Sequence, residues 1–318
     1  MTELKKAGSV HFMTEHSDIA APVESLGDAP DAFVLRLPVE ITSPFLFTVP
    51  HSGRHYPDSF RKRSRLSNRD LRLSEDAFVD DLFAGVSSYG ATQIVATHAR
   101  AFVDLNRAEN ELEPSMFSGE IGSYEVDLNN RVKAGLGVIP RMIGEGMPIY
   151  EGKIPIREAF KRLETVYEPY HNKVADLLQA RHRQFGSSVL IDCHSMPSGP
   201  ELGRRRKAQP DIILGDCWGT SCSRELTGLA ERLFLEAGLR VRRNIPYAGG
   251  YATRFYGKPA QACHALQIEI NRGIYMDETR VEKLPEFNEV RDKMVKVAWS
   301  LVELYDQLPA DIPAKAAE

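Results

Sequence analysis

What most constrains this chain is a series of short apolar runs, each breaking off at polar residues of unusual chemistry. Phe45-Leu46-Phe47-Thr48-Val49 stops at Pro50 and leads into His51-Ser52-Gly53. Residues 101–105 lead into Asn106-Arg107, residues 188–192 into His194-Ser195, and residues 265–270 into Asn271-Arg272. Apolar runs of this length, bounded by turn residues, read as buried strands. Residues 92–97 and 211–215 read the same way, and 239–242 alternates like a strand with one wet face.

Between these runs lie helical stretches. Phe78, Val79, Leu82, Phe83 and Val86 recur at spacings of three and four, which predicts an amphipathic helix over 76–89 with Ser74 as its N-cap. A long helix is expected over 156–185, with Pro155 in its first turn, a kink at Pro169 and Gly186 closing it. Two more are expected over 223–237, closed by Gly238, and over 285–308. Strands separated by helical crossovers predict an α/β fold, a mostly parallel (mixed) central sheet flanked by helices. No repeat or linker divides it, so residues 31–318 read as one domain behind a flexible extension of residues 1–30. Residues 108–150 are rich in Gly, Pro and Glu and form a long excursion, a kind of segment that is often functional.

Composition removes several function classes. The chain has 40 Lys+Arg against 44 Asp+Glu, a net charge of −4, so no basic surplus points to nucleic acid. The run Arg204-Arg205-Arg206-Lys207 reads as a solvated loop. Nothing approaches the ~18 consecutive apolar residues of a membrane span. The N-terminus lacks the apolar centre of a secretory signal. Cys193, Cys217, Cys222 and Cys263 are too scattered for a disulfide framework. A cytoplasmic protein acting on a small molecule is the expectation.

In open α/β sheets ligands bind beyond the carboxyl ends of the strands. His51 and His194 follow two strands in the same manner, as ligands of a catalytic zinc would; ordinary loop histidines are the alternative. A third ligand would come from Asp76 or Glu75, with Asp76 preferred and Asp80 as its support. Glu269 interrupts an apolar strand, where an unpartnered carboxylate is costly. It reads as a general base, or as an ion-pair partner of Arg272. Arg100, Arg107, Arg254 and Arg272 suit carboxylate recognition, although each would also serve as a structural ion-pair partner.

Taken together, Val49-Pro50-His51-Ser52-Gly53, Asp76-Ala77-Phe78-Val79-Asp80, Phe102-Val103-Asp104-Leu105-Asn106-Arg107, Ile191-Asp192-Cys193-His194-Ser195, residues 247–254 and Gln267-Ile268-Glu269-Ile270-Asn271-Arg272 resemble the N-formylglutamate amidohydrolase family. The likeness runs from about residue 45 to 275. A more distant similarity is to zinc carboxypeptidases, from which the chain departs at Arg54, where that pattern carries a glutamate ligand.

The resemblance implies a zinc-carboxypeptidase/phosphorylase-hydrolase-like fold and a Zn²⁺ cofactor on His51, Asp76 and His194. It further implies Glu269 as base and Arg100 at the oxyanion. Asn106 and Arg107 would hold the substrate's α-carboxylate and Arg254 its side-chain carboxylate, with Arg272 nearby. The implied substrate is a small N-acyl amino acid, N-formylglutamate foremost. A zinc carboxypeptidase, a broader N-acyl amino acid deacylase and a metal-free dicarboxylate-binding protein are the alternatives. No Gly-x-Ser-x-Gly elbow points to a serine hydrolase.

Overall fold

The computed structural model describes residues 30–144, 146–199 and 209–308. All but the last residue of the expected N-terminal extension, and the basic run 204–207, lie outside these. Seven strands form the central sheet: β1 (Phe33–Arg36), β2 (Phe45–Val49), β3 (Thr92–Ala96), β4 (Ser188–Met196), β5 (Ile212–Gly215), β6 (Val241–Arg243) and β7 (Cys263–Asn271), in the order β1-β3-β2-β4-β7-β5-β6. The four central strands β3, β2, β4 and β7 are mutually parallel. At one edge β1 runs antiparallel to β3; at the other, β5 runs antiparallel to β7 and parallel to β6. The mixed α/β architecture expected from the sequence is the one observed.

Both faces are covered, so the central strands are buried along their whole length and mainly apolar toward their amino ends. Phe45, Phe47, Val49, Val189, Ile191, Leu266 and Ile268 face a core shared with helices Arg224–Glu236 and Phe287–Leu304. Leu46, Ile94, Leu190 and Ala265 face a second core formed with residues from the 99–178 region. The expected helix over 156–185 is two α-helical pieces, Ile156–Arg162 and Glu168–Phe185, joined by a π-helical turn at Leu163–Tyr167. Pro169 lies two residues past that turn, at the start of the second piece; lacking an N–H, it cannot continue the regular ladder. Gly186 closes the helix with φ 73°.

Two expectations are corrected. Residues 76–89 do not form one amphipathic helix capped by Ser74. Phe78 takes a left-handed φ of 66°, and a four-residue helix Val79–Leu82 gives way to a 3-10 turn at Ala84–Tyr89. The Ser74 hydroxyl donates instead to Leu71 O. The break frees Asp76 from helical geometry, and its N–H bonds to His51 O at 2.9 Å. Residues 101–105 likewise form no strand. They make a turn, with Val103 N bonded to Ala99 O and Asp104 N to Val138 O, while Phe102, Val103 and Leu105 pack into the second core. The apolar run reflects burial of a loop, which period alone does not distinguish from a strand. No helix among the described residues is long and apolar enough to cross a membrane.

Candidate active site and metal centre

The site lies at the carboxyl ends of β2, β4 and β7. His51 stands two residues beyond β2, in a segment that passes another backbone at very short range. A Cβ at Gly53 would lie 2.1 Å from His98 O, so only glycine allows this approach. His194 lies within β4, which extends past the expected run, and it is paired in register with Glu269 of β7. Asp76 reaches the same point from the turn before Val79. The three side chains are buried, and their ligand-type atoms all lie within 4.8 Å of one another.

Each imidazole is gripped from behind. His51 presents Nε2 to Asp104 Oδ1 at 2.7 Å, which leaves Nδ1 at 3.3 Å from Asp76 Oδ2. That Nδ1 is fully buried without a hydrogen-bond partner. His194 presents Nε2 to Asp192 Oδ2 at 2.8 Å and Nδ1 to the same Asp76 oxygen at 3.0 Å. Asp192 is braced in turn by the Thr48 hydroxyl at 2.7 Å. Asp76 Oδ1 accepts from Arg272 Nη2 at 2.9 Å and from the Ser195 hydroxyl at 3.2 Å. Burial pushes the Asp76 carboxyl up, but the flanking His194 and His51 outweigh it and hold it well below the usual carboxylate range. Two imidazole nitrogens and one ionised carboxylate, with a buried carboxylate behind each ring, are a donor set that fits a zinc ion.

Glu269 is also buried. Its Oε1 accepts from Gln267 Nε2 at 2.7 Å, and Gln267 Oε1 accepts from Gly250 N. Burial pushes its carboxyl up to about 7; Asp76 adds to the rise, while His194, Arg100 and Arg272 oppose it. A carboxyl tuned close to neutrality beside a metal-type donor set has the properties of a general base. Glu75, the other candidate ligand, is buried away from this cluster, bonded to the Tyr56 hydroxyl and Arg72. Asp80 pairs with Arg36 and Arg54.

These groups open into a cavity of about 500 Å³. Of the expected substrate-binding residues, Asn106, Arg107 and Arg272 line it together with Arg100, whereas Arg254 is not among the lining residues. Arg254 is exposed and donates to Gly249 O at 2.9 Å. Arg272 directs its nitrogens to Ser195 Oγ, Asp76 and Leu73 O. The Asn106 amide is engaged as well: Nδ2 lies 3.0 Å from His194 Nε2, and Oδ1 accepts from Ala252 N at 2.9 Å. Arg100 donates through Nε to Asp104, and Arg107 through Nε to Leu136 O.

Several contributors do not stand out in the sequence: Asp192 and Thr48 behind His194, and, lining the cavity, Asp104, Gln267 and, from the 108–150 excursion, Arg131 with Leu136, Pro140, Met142 and Ile143. Asp192 and Gln267 alternate with ligand and base along β4 and β7, and that period-two spacing is the signal that points to them.

The profile of the N-formylglutamate amidohydrolase family matches residues 43–276, a span that holds every residue of this cluster. An N-formylglutamate deformylase of Pseudomonas putida is 32% identical over 240 residues, covering 74% of this chain and 83% of that one. A protein of the same name from Pseudomonas aeruginosa is 31% identical over 239 residues, with the same coverage. The crystal structure of an N-formylglutamate amidohydrolase from Ralstonia eutropha JMP134 superposes with a TM-score of 0.83 at 30% identity, covering 87% of this chain and 99% of that one. By sequence over most of its length and by architecture, the chain belongs to the N-formylglutamate amidohydrolase family.

Proposed function

We propose that this protein is a zinc-dependent amidohydrolase that cleaves N-formylglutamate to formate and glutamate. The observation that carries the reading is the convergence of His51, Asp76 and His194, each ring backed by a buried carboxylate, beside a buried Glu269 at the end of an open cavity. The names of the two Pseudomonas relatives support the choice of substrate.

Zn²⁺ held by these three residues would act as a Lewis acid, polarising the formyl carbonyl and lowering the pKa of water. Glu269 takes the proton of the attacking water and delivers it to the amide nitrogen as the C–N bond breaks. Water's oxygen ends in formate, and the nitrogen leaves as the amine of glutamate. Arg100 is fixed through Nε to Asp104, and its terminal nitrogens have no protein hydrogen bond among the described residues. They are available to the oxyanion that develops on the carbonyl. Asn106 and Arg107 form the wall for the α-carboxylate. Arg107 supplies the charge, since the Asn106 amide is already engaged.

A substrate panel tests the reading. Formate release from N-formylglutamate, faster than acetate release from N-acetylglutamate or residue release from a dipeptide, is expected. Preference for the acetyl compound or the peptide would replace deformylation by the broader deacylase or carboxypeptidase reaction.

A further inference from the structure

The cavity carries one more cation than its own carboxylates neutralise. Four arginines line it, and three are tied to anions of the protein: Arg272 to Asp76, Arg100 to Asp104, and Arg107 3.9 Å from both Asp104 and Glu111. Among the described residues the guanidinium of the fourth, Arg131, makes no hydrogen bond and no ion pair. Arg131 is exposed, and a free arginine on a surface is ordinary, but this one also lines the cavity and its backbone is firmly built. It sits in the short helix Asn130–Lys133, where Asn129 Oδ1 accepts from Arg131 N and Val132 N. Val132 is fully buried, and Arg131 O accepts from Leu136 N at 2.9 Å. The helix is thereby anchored to the cavity wall formed by Leu136 and Pro140.

Arg131 also faces like charge. Burial lowers the pKa of Arg107; Asp104 opposes that shift, and the guanidiniums of Arg100 and Arg131 add to it. Arg107 Nη2 has no hydrogen-bond partner among the described residues. Guanidiniums gathered on one cavity without an anion for the last of them are complementary to an anionic ligand.

Resting on the deformylase reading above, we infer that Arg131 is a specificity-determining residue that binds the side-chain carboxylate of the substrate and so selects acidic N-acyl amino acids. It does so from the excursion wall, opposite in role to Arg107, which meets the α-carboxylate. Arg254, outside the lining, is not needed for this contact.

The test compares wild type, Arg131→Gln and Arg131→Lys, all zinc-loaded, on N-formylglutamate and on its neutral isostere N-formylglutamine. Arg131→Gln raises KM for N-formylglutamate by about tenfold or more, as loss of a charge-assisted contact does. It leaves kcat and the KM for N-formylglutamine nearly unchanged, and Arg131→Lys recovers part of the preference. An Arg131→Gln enzyme that keeps the wild-type preference, or loses both substrates equally, overturns the inference. Calorimetric binding of L-glutamate and L-glutamine is measured in parallel. If wild type releases no formate, Arg131-dependent glutamate binding would overturn the deformylase reading and keep the carboxylate site. Glutamate binding unchanged by Arg131→Gln would overturn the site itself.

Discussion

Oδ1 of Asp104 lies 2.7 Å from Nε2 of His51. Burial alone would push the Asp104 carboxyl up, but Arg100, then His51 and Arg107, outweigh it and hold it well below the usual range. An ionised carboxylate only accepts, so His51 Nε2 carries the hydrogen of this contact, and Nδ1 is the nitrogen left facing Asp76 and His194. The contact thus selects the nitrogen that would meet a metal. Replacing Asp104 by Asn should weaken zinc binding by about 10–100-fold, as for other partners of ligating histidines. Competition with a chromophoric chelator measures this, and unchanged affinity would count against the role given to Asp104.

Glu269 faces the opposite test. It is not in the ligand set, so Glu269→Gln should keep stoichiometric zinc while kcat falls by about 10²–10⁴-fold, the usual contribution of a general base. Near-normal turnover in a zinc-loaded variant would remove it as the base.

Arg272 lines the cavity yet holds Asp76 at 2.9 Å and Ser195 at 3.0 Å. Arg272→Gln should therefore lower zinc affinity by roughly tenfold, the scale of a lost hydrogen bond to a charged group, with KM of the zinc-saturated enzyme little changed. A large rise in KM with intact zinc affinity would place Arg272 on the substrate instead.

How much of this was legible in the sequence varies by residue. Strands β2, β4 and β7 show as apolar runs because they are buried on both faces, and His51, His194 and Glu269 stand out against them. Residues 101–105, which carry Asp104 and lead into Asn106-Arg107, read as a strand although they form a turn, because Phe102, Val103 and Leu105 are as apolar as any strand. That buried Asp104 and Asp192 each back an imidazole depends on contacts 53 and 2 residues apart in the chain, and only folding reveals the first. The Asp76 turn depends on Phe78 adopting φ 66°, which no hydrophobic period encodes. Arg131 belongs to a segment without periodicity, so its place on the cavity wall follows from tertiary packing alone.

Beside the site, His98 is buried against Phe102, with ring centroids 5.5 Å apart, and its Nε2 has no hydrogen-bond partner. Burial, helped by His55, pushes its pKa down from 6.5 to about 4. Between those values the unfolded chain binds the proton that the folded one refuses, so stability is complete above about pH 6.5 and declines as pH falls toward 4. His171, lowered to about 4 chiefly by burial, acts in the same direction. His98→Phe, which keeps the stacking and removes the titration, should show a smaller drop in Tm between pH 7 and pH 4.5 than wild type, by several degrees (~2–4 °C per kcal/mol). Equal drops would mean that His98 does not take part in the acid sensitivity.

Metal-dependent deformylation is tested by formate release from N-formylglutamate before chelation, after chelation and after zinc is added back. Release should disappear with the chelator and return with about one equivalent of zinc. Release that persists undiminished in protein shown to be free of metal would contradict that dependence.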